Sequence, residues 1–441
     1  MQHPILILGA GYGGLCLAKE LSRRRAELGG AEIFLIDQNE HFLYTPLLYE
    51  VATGYDPGEA IEVVERETEK ELIKGAAIPY AELIKPWKGV RFRNAEVTGL
   101  DWQRRESLLA GGERLPWEYL VIALGSETDF YDIPGLKEQA CQLKTSRQAL
   151  AIRRRLHSLI FKKSKGEEAH LSVVIGGAGA TGIEFAAELL RFFQKSVRRG
   201  LISWSDLTIS VVEASNRLLP QFHKKFSAWA RQRLEHGCLK FYFDTCVRSA
   251  EAGRVILAPR PLKEGERREE LLCEFGLENE RVVEVDVLIW TGGVRAASAL
   301  GEWGFSVDRK GRVAVDEFCR VPDREGVYVI GDCAALSHPR TKQAAPAMAQ
   351  AAMKEAHAVA ENIIRSIHKR PLYPYPFPYL HSLVPLGGKY ALADVNGWKF
   401  RGFFAWLVRQ AADLRYFLHI LSPSQAWRLW LHGLRVFGRN D

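Results

Sequence analysis

One local pattern occurs twice in this chain and restricts its fold more than any other feature. It consists of a short apolar strand, a GxGxxG loop, a helix and a second strand that ends in an acidic residue. Only glycine lets the backbone approach a pyrophosphate closely, and the helix N-terminus attracts its negative charge. The terminal acid accepts hydrogen bonds from a ribose hydroxyl. One GxGxxG string is weak evidence, but two copies in this context predict two dinucleotide sites. The glycines and acids are Gly9, Gly11, Gly14 and Asp37, then Gly177, Gly179, Gly182 and Glu213.

The two units predict an α/β chain with two Rossmann-like dinucleotide-binding domains, the second inserted into the first, followed by C-terminal amphipathic helices. We place the first domain at 1–145 and 285–370, the inserted domain at 146–284 and a C-terminal segment at 371–441. Asp332 ends a strand of the returning part. An acid at the carboxyl end of a central strand faces the ligand crevice, so we predict that Asp332 binds cofactor oxygens.

Composition and charge exclude several classes of function. Hydrophobic residues make up 47% of the chain, as in globular proteins, and a net charge of +7 does not predict a nucleic-acid binder. The seven cysteines have no CxxC or CxxxxC spacing, so no metal site and no redox disulfide is predicted. Their scattered, odd set is typical of a reducing compartment. The N-terminal residues show no targeting pattern, and no run of about 18 uncharged apolar residues predicts a membrane span.

Two dinucleotide sites in one chain indicate hydride transfer between a tightly bound flavin and a diffusible nicotinamide. Glu213 favours NADH over NADPH, because a carboxylate repels a 2′-phosphate. Arg217 is close enough in the sequence to weaken that preference.

The run from Asp37 to Thr53, with its Pro-Leu-Leu-Tyr segment, resembles the flavin-side signature of type II NADH:quinone oxidoreductases, the single-subunit, non-pumping NADH dehydrogenases. Segments around 123–126, 179–184, 289–294 and 329–334 agree, so the resemblance covers nearly the whole chain. It implies non-covalent FAD at the first glycine loop and NADH at the second. The residues implied in cofactor binding beyond the loops and their acids are Pro46 and Leu47, beside the isoalloxazine, and Ala123, Gly125 and Gly292. Glu184 is implied at the junction of nicotinamide and flavin.

The pair Ala349-Gln350 matches the start of the family's AQxAxQ quinone-site pattern, but residue 354 is Lys where the pattern has Gln. Gln350 and Lys354 are one helical turn apart and are predicted to face the same crevice. A lysine also donates to a quinone carbonyl oxygen and favours a developing quinol anion. We therefore predict that Glu184, Gln350 and Lys354 orient the quinone and deliver protons, with Gln350 also contacting the cofactor.

The last residues, Trp398 to Asp441, are basic and aromatic. An apolar stripe at helical spacing predicts one helix, and Ser422 to Gln425 reads as a capping box that begins another. The first stripe is Phe400, Phe403, Phe404, Leu407, Ala411, Leu414 and Leu418, with Lys399, Arg401, Arg409 and Arg415 off it; the second helix carries Trp427, Trp430, Leu431, Leu434 and Phe437, with Arg428, Arg435 and Arg439 alongside. We expect both helices to lie on the cytoplasmic face of a membrane. A dimer interface, or a tail folded onto the core, is the alternative.

Two other functions remain open on the sequence. A sulfide:quinone oxidoreductase has a similar fold but carries sulfur on cysteines, and only Cys141 and Cys333 lie in suggestive places. An NADH-binding flavoprotein sensor, whose tail docks another protein, is the second alternative.

Overall fold

The computed structural model describes residues 4–54, 63–167, 170–262 and 280–438. Two five-stranded parallel sheets form its centre. The first sheet has the strand order Val327–Val329, Tyr119–Ile122, Ile5–Leu8, Ile33–Asp37 and Val90–Asn94. Every residue of its middle strand is buried, as expected for a parallel strand covered on both faces. The predicted α/β class is confirmed.

The second sheet has the order Cys141–Gln142, Val287–Trp290, Leu171–Gly176, Leu207–Val212 and Leu239–Tyr242. This order corrects the predicted boundary at 284/285. Val287–Trp290 was assigned to the returning part of the first domain, but it pairs with Leu171–Gly176 in the inserted sheet. The edge strand Cys141–Gln142 extends the same sheet from within the segment assigned to the first domain. A buried apolar run carries no information on which of two parallel sheets it joins.

Five helices position the candidate site and are named here. The first loop helix is Tyr12–Arg23 and the second loop helix is Ala180–Arg198. The long helix is Ala349–Ile367, and the two tail helices are Phe403–Ile420 and Pro423–Phe437. The other α-helices are Leu48–Ala52, Val63–Ala76, Tyr80–Ile84, Leu136–Gln139, Ser146–Ser164, Lys224–Leu234 and Ala299–Glu302.

Most of the other strands form small antiparallel sheets of two or three strands. Their strands are His41–Leu43, Ala77–Pro79, Val97–Asp101, Glu106–Leu109, Arg114–Pro116, Ser126–Thr128, Thr245–Glu251, Arg254–Pro259, Arg281–Glu284 and Val294–Ala296, with the short parallel pair Val313–Ala314 and Ala334–Ala335.

The C-terminal segment begins with strands that were not predicted. Before the tail helices it forms a three-stranded antiparallel sheet, Ser382–Pro385, Ala391–Val395 and Trp398–Gly402. Phe400 therefore lies on a strand, and the helix begins only at Phe403. The second tail helix begins with the predicted capping box at Ser422 and ends at Gly438; Arg439 lies outside the described residues. Among the described residues, no helix has the length and apolarity needed to cross a bilayer.

Candidate active site

The first glycine loop is shaped for a phosphate group. Gly9 has φ +97°, and a Cβ there would lie 2.4 Å from the Ala123 carbonyl oxygen. A Cβ on Gly14 would lie 1.8 Å from the Gly9 carbonyl oxygen, so the loop and its helix pack as closely as two backbones can. Beside Gly11, by contrast, a Cβ would meet no atom within 4 Å. The open space at the helix N-terminus fits the pyrophosphate of FAD.

The second loop repeats this geometry. Gly177 has φ +100°, and a Cβ there would lie 2.7 Å from the Gly292 Cα. A Cβ on Gly182 would lie 2.0 Å from the Gly177 carbonyl oxygen. The nearest neighbour beside Gly179 is the flexible Gln221 side chain, 3.1 Å from a built Cβ. This loop therefore also leaves room for a pyrophosphate, and NADH fits it.

The two strand-end acids have equivalent partners. Asp37 Oδ2 accepts a hydrogen bond from the Ala10 backbone N–H at 2.7 Å, and Glu213 Oε2 accepts one from the Ala178 N–H at 2.7 Å. Each acid thus lies against its own glycine loop, where the ribose of a bound dinucleotide belongs. The Arg217 guanidinium donates to the Pro220 and Phe222 carbonyls. These bonds hold Arg217 at its own turn, which favours NADH at this loop.

The first cofactor site is completed at the carboxyl ends of two neighbouring strands. Gly125 has φ +72° and no atom within 4 Å of a built Cβ, so its backbone faces open space. The Ser126 hydroxyl donates to Asp332 Oδ2 at 2.6 Å and accepts from Lys144 Nζ at 3.0 Å. Burial lowers the pKa of Lys144, and the Asp332 carboxylate opposes that shift. These polar groups converge at the sheet edge as a flavin's ribityl and phosphate oxygens require.

A buried ionic cluster lies beside Pro46 and Leu47, and its centre is Arg409 on the first tail helix. Arg409 Nη2 lies 3.1 Å from the Tyr49 hydroxyl and 3.4 Å from Glu50 Oε1. Arg409 Nη1 lies 3.4 Å from Asp413 Oδ2. Arg409 Nη2 also lies 3.5 Å from the Pro46 carbonyl oxygen, so the tail contacts the segment predicted to flank the isoalloxazine.

Tyr44 extends this cluster, because its hydroxyl donates to Asp413 Oδ1 at 2.6 Å. Burial raises the pKa of Tyr44 well above its usual range, and the adjacent Asp413 carboxylate adds to the shift. Burial also raises the pKa of Asp413, although Arg409 and the Tyr44 hydroxyl act in the opposite direction. We define the buried cluster as Tyr44, Tyr49, Glu50, Glu184, Arg409 and Asp413.

Glu184 joins the cluster from the second loop helix. Burial raises the pKa of Glu184 to about 8; Arg409 lowers it, and the Glu50 and Asp413 carboxylates raise it further. Because three carboxyl groups share one arginine in a buried setting, they do not all ionise near neutral pH. Glu184 is therefore mostly protonated at pH 7 and able to donate a proton.

A cavity of ≈ 450 Å³ opens on the same cluster. Leu47 and the cluster residues Glu50, Arg409 and Asp413 line it, and apolar side chains of both tail helices contribute a large part of its surface. The apolar side chains of the tail are Trp406, Phe417, Leu429, Trp430, Leu434 and Phe437, and the further polar residues of the lining are Glu188, Lys389, Gln410 and Arg435. A cavity that combines apolar walls with charged groups suits a largely apolar ligand with a polar head.

The structure places Gln350 and Lys354 away from the residues that line this cavity. Gln350 is half-buried at the start of the long helix, where its Oε1 accepts from the His381 backbone N–H at 3.2 Å. Lys354 is exposed one turn later. Next to Lys354 in the sequence, Glu355 Oε2 accepts from the Gly331 N–H at 2.6 Å, and burial raises the pKa of Glu355 to about 7. The long helix thus holds the strand end at Gly331 through Glu355.

Sequence reasoning missed most of the buried cluster. Arg409 was assigned to a basic membrane-facing surface, but it is buried and paired with Asp413 and Glu50. One signal was present. Asp413 is an acid in an otherwise basic tail, four residues from Arg409 and opposite the apolar stripe. Arg409 and Asp413 thus form an i, i+4 ion pair on the helix face opposite the apolar stripe. Such a pair would compensate the two charges if that face packed against the rest of the protein.

The cysteines lack the properties of a sulfur-carrying pair. Cys333 is buried, its thiol donates to the Gly125 carbonyl oxygen at 3.1 Å, and burial raises its pKa to about 12. Burial also raises the pKa of Cys141. Both thiols are protonated at neutral pH, and a thiol reacts as a nucleophile only when deprotonated.

Comparisons with known proteins agree with this geometry. The type II NADH:quinone oxidoreductase of Haemophilus influenzae is 27% identical over 412 residues, covering 89% of this chain and 87% of that protein. The demethylphylloquinone reductase NdbB of Synechocystis is 28% identical over 434 residues, covering 96% of this chain and 95% of that protein. The structure of NDH2 from Plasmodium falciparum in complex with NADH has a TM-score of 0.80 at 18% identity, covering 99% of this chain and 98% of that one.

The predicted resemblance to type II NADH:quinone oxidoreductases is confirmed by these relatives. The family model for pyridine nucleotide-disulphide oxidoreductases matches residues 3–356, which include both glycine loops and both strand-end acids. The chain therefore belongs to the pyridine nucleotide-disulphide oxidoreductase family.

Proposed function

We propose that this protein is an NADH:quinone oxidoreductase that holds FAD at the first glycine loop and NADH at the second. The observation that carries the proposal is the convergence of three elements at one cavity. The segment around Leu47, the second loop helix through Glu188 and the first tail helix line this cavity. Glu184, one turn before Glu188, interacts electrostatically with Arg409, Glu50 and Asp413 of the cluster. FAD supplies the redox relay when bound, taking hydride from NADH and passing two electrons to a quinone.

The chain's own residues bind and orient the two nucleotides. The N-termini of both loop helices face the pyrophosphates, and Asp37 and Glu213 face the riboses. Asp332, held by the Ser126 hydroxyl, accepts from the flavin side chain's hydroxyls. Ala123, Gly125 and Gly292 allow close backbone approach at the two strand ends.

Reduction of a quinone to a quinol consumes two protons, and the buried cluster holds exchangeable ones. Protonated Glu184 is the donor that we propose for one of them. Arg409 stabilises the negative charge left on the cluster and, from the cavity wall, a developing quinol oxyanion. Glu184 keeps partial exposure to solvent, and once deprotonated it regains a proton from that solvent.

The apolar part of the cavity fits the ring and first tail units of a lipid-soluble quinone. We propose that Gln350 and Lys354 act from the long helix, outside the residues that line this cavity. Gln350 orients the cofactor edge, and Lys354 donates to a quinone carbonyl oxygen when the acceptor approaches from that side.

The first experiment is anaerobic visible absorption of the purified protein. Addition of NADH should bleach the flavin band, and a short-chain quinone should restore it at a catalytic rate. Bleaching that quinone does not reverse would refute the acceptor assignment and favour the sensor alternative. Failure of NADH to bleach a bound flavin would refute the second nucleotide site.

A second test distinguishes the proposed function from a sulfide:quinone oxidoreductase. Replacing Cys141 and Cys333 together by Ser should leave both steps unchanged, because both thiols are protonated at neutral pH. Sulfide-dependent bleaching in the parent that disappears in the double variant would instead show sulfur chemistry.

We propose further that the tail helices hold the protein on a membrane surface, on the cytoplasmic side where NADH is found. Large apolar side chains stand out from them, with Phe404 74% exposed and Trp398, on the preceding strand, 81% exposed. Phe403, Leu407, Leu418, Trp427 and Leu431 are also exposed, and Arg401, Arg415, Arg428 and Arg435 lie among them. Because both tail helices line the cavity, a quinone entering from the bilayer reaches the cluster directly.

Vesicle flotation tests the membrane proposal. Phe404→Ser should weaken binding to anionic vesicles about ten- to a hundredfold, since burial of a Phe side chain contributes about 1.5–3 kcal/mol. Val282→Ser is the matched control, because Val282 is 59% exposed on a different surface. Equal binding by both variants, together with dimers measured by light scattering, would support the dimer-interface alternative.

A further inference from the structure

Three metal-ligating side chains from distant parts of the sequence meet where three helices pack. Cys16 lies on the first loop helix, His357 on the long helix and His419 on the first tail helix. Cys16 Sγ lies 3.6 Å from Nε2 of His357 and 3.6 Å from Nε2 of His419. All three ligand atoms lie within 4.8 Å of one another.

The two sulfur–nitrogen separations match those of a tetrahedral zinc site. With Zn–S of about 2.3 Å and Zn–N of about 2.0–2.1 Å, a tetrahedral angle places sulfur and nitrogen about 3.6 Å apart. Without an ion, the Cys16 thiol donates to the Met353 carbonyl oxygen at 3.6 Å, and its sulfur is a weak acceptor for the imidazole Nε2 groups at the same distance. A metal ion would replace these weak contacts with coordination bonds.

The surroundings supply a second feature of such sites. While Nε2 of His357 faces the thiol, its Nδ1 lies 3.8 Å from Glu20 Oε2. A carboxylate behind a ligating imidazole fixes the ring and raises its basicity. The His357 side chain is 42% exposed, which leaves a path for an ion.

The nearby charges are mixed. The positive charges of Lys19, Arg23, Lys354 and Arg415 lie near the three ligands and disfavour a divalent cation there. The negative charge of Glu20 favours one. The Cys16 thiolate supplies the main compensation. A bound ion must displace the thiol proton into solvent, because the thiolate is the ligand.

We propose that Cys16, His357 and His419 form a zinc site that ties the first tail helix to the first loop helix and the long helix, with water as the fourth ligand. One thiolate and two neutral imidazoles suit Zn²⁺, and three protein ligands leave one position open. The site does not depend on the proposed function. The cysteine spacing predicted no metal, because the three ligands come from opposite ends of the chain.

Equilibrium dialysis of the flavin-loaded protein against Zn²⁺ alone tests this site. We expect one Zn²⁺ per chain, release of about one proton on binding, and a melting temperature that rises with Zn²⁺. Cys16→Ser and His419→Gln should each weaken binding more than tenfold, and Glu20→Gln should weaken it about tenfold. Flavin content reports whether each variant is folded. Cobalt in place of zinc should give the strong visible bands of a tetrahedral thiolate complex, at longer wavelengths than the flavin.

Cys238→Ser is the matched control. Cys238 is also buried beside a histidine, with its Sγ 3.2 Å from His236 Nδ1. The Cys238→Ser variant should therefore bind Zn²⁺ as tightly as the parent does. Zinc binding that is absent from the parent, or equal in the parent and a folded Cys16→Ser variant, would overturn the proposal. If Cys16→Ser does not fold, the same comparison with His419→Gln decides.

Discussion

Replacing Glu184 by Gln should make the protein more stable and a slower quinone reductase. The pKa of Glu184 is about 8 in the folded protein, against an ordinary value of 4.5. The folded state therefore binds the proton more tightly than the unfolded state, and stability falls as pH rises from 4.5 towards 8. At 1.36 kcal/mol per pKa unit, ionisation in the unfolded chain makes Glu184 cost about 3 kcal/mol at pH 7 and about 1 kcal/mol at pH 5.

Glu184→Gln removes the titration and keeps the shape. Its gain in thermal stability over the parent should therefore be larger at pH 7 than at pH 5. Some of the gain is lost because Glu184 keeps partial exposure to solvent. Glu235→Gln, at an exposed acid of the same inserted domain, should change neither value.

The kinetic consequence is measured by steady-state quinone reduction at saturating NADH from pH 6 to 9. With a pKa of about 8, the protonated fraction of Glu184 falls about tenfold between pH 7 and pH 9. The parent kcat should follow that fall, whereas Glu184→Gln should be slow and pH-independent. A parent kcat that is flat to pH 9, or a Gln variant that keeps the alkaline fall, would show that Glu184 is not the donor.

Three further predictions concern other parts of the site. Arg409→Met should destabilise the protein by about 3–5 kcal/mol, because it leaves buried acids without their cation. Adding Asp413→Leu should restore part of the melting temperature. A double variant that is less stable than Arg409→Met would contradict the pairing of Arg409 with Asp413. Gly177→Ala should abolish bleaching by NADH while FAD remains bound, since its Cβ would lie 2.7 Å from a backbone atom. Gly200→Ala has a similar positive φ but open space, so it should keep bleaching; equal effects would exclude the steric explanation. Lys354→Met should raise the KM for quinone about tenfold and Lys354→Gln much less; an unchanged KM in both would remove Lys354 from the quinone site.

The sequence by itself determined both dinucleotide units. The pattern of an apolar strand, glycine loop, helix and terminal acid is local, and its geometry follows from backbone sterics at glycine and from the charge at a helix N-terminus. Gly9, Asp37, Gly177 and Glu213 accordingly lie in equivalent places in the two sheets. The capping box at Ser422 was equally local and was read correctly.

Tertiary structure decided what those units are joined to. Which sheet Val287–Trp290 enters depends on pairing across the chain, and the strand itself carries no mark of it. Arg409 reads as a membrane-facing cation until Asp413, Glu50 and the Tyr49 hydroxyl surround it, because a buried charge is stable only where partners replace water. The grouping of Cys16 with two distant histidines has the same cause: residues far apart in sequence acquire chemistry only when packed helices bring their side chains within a few ångströms.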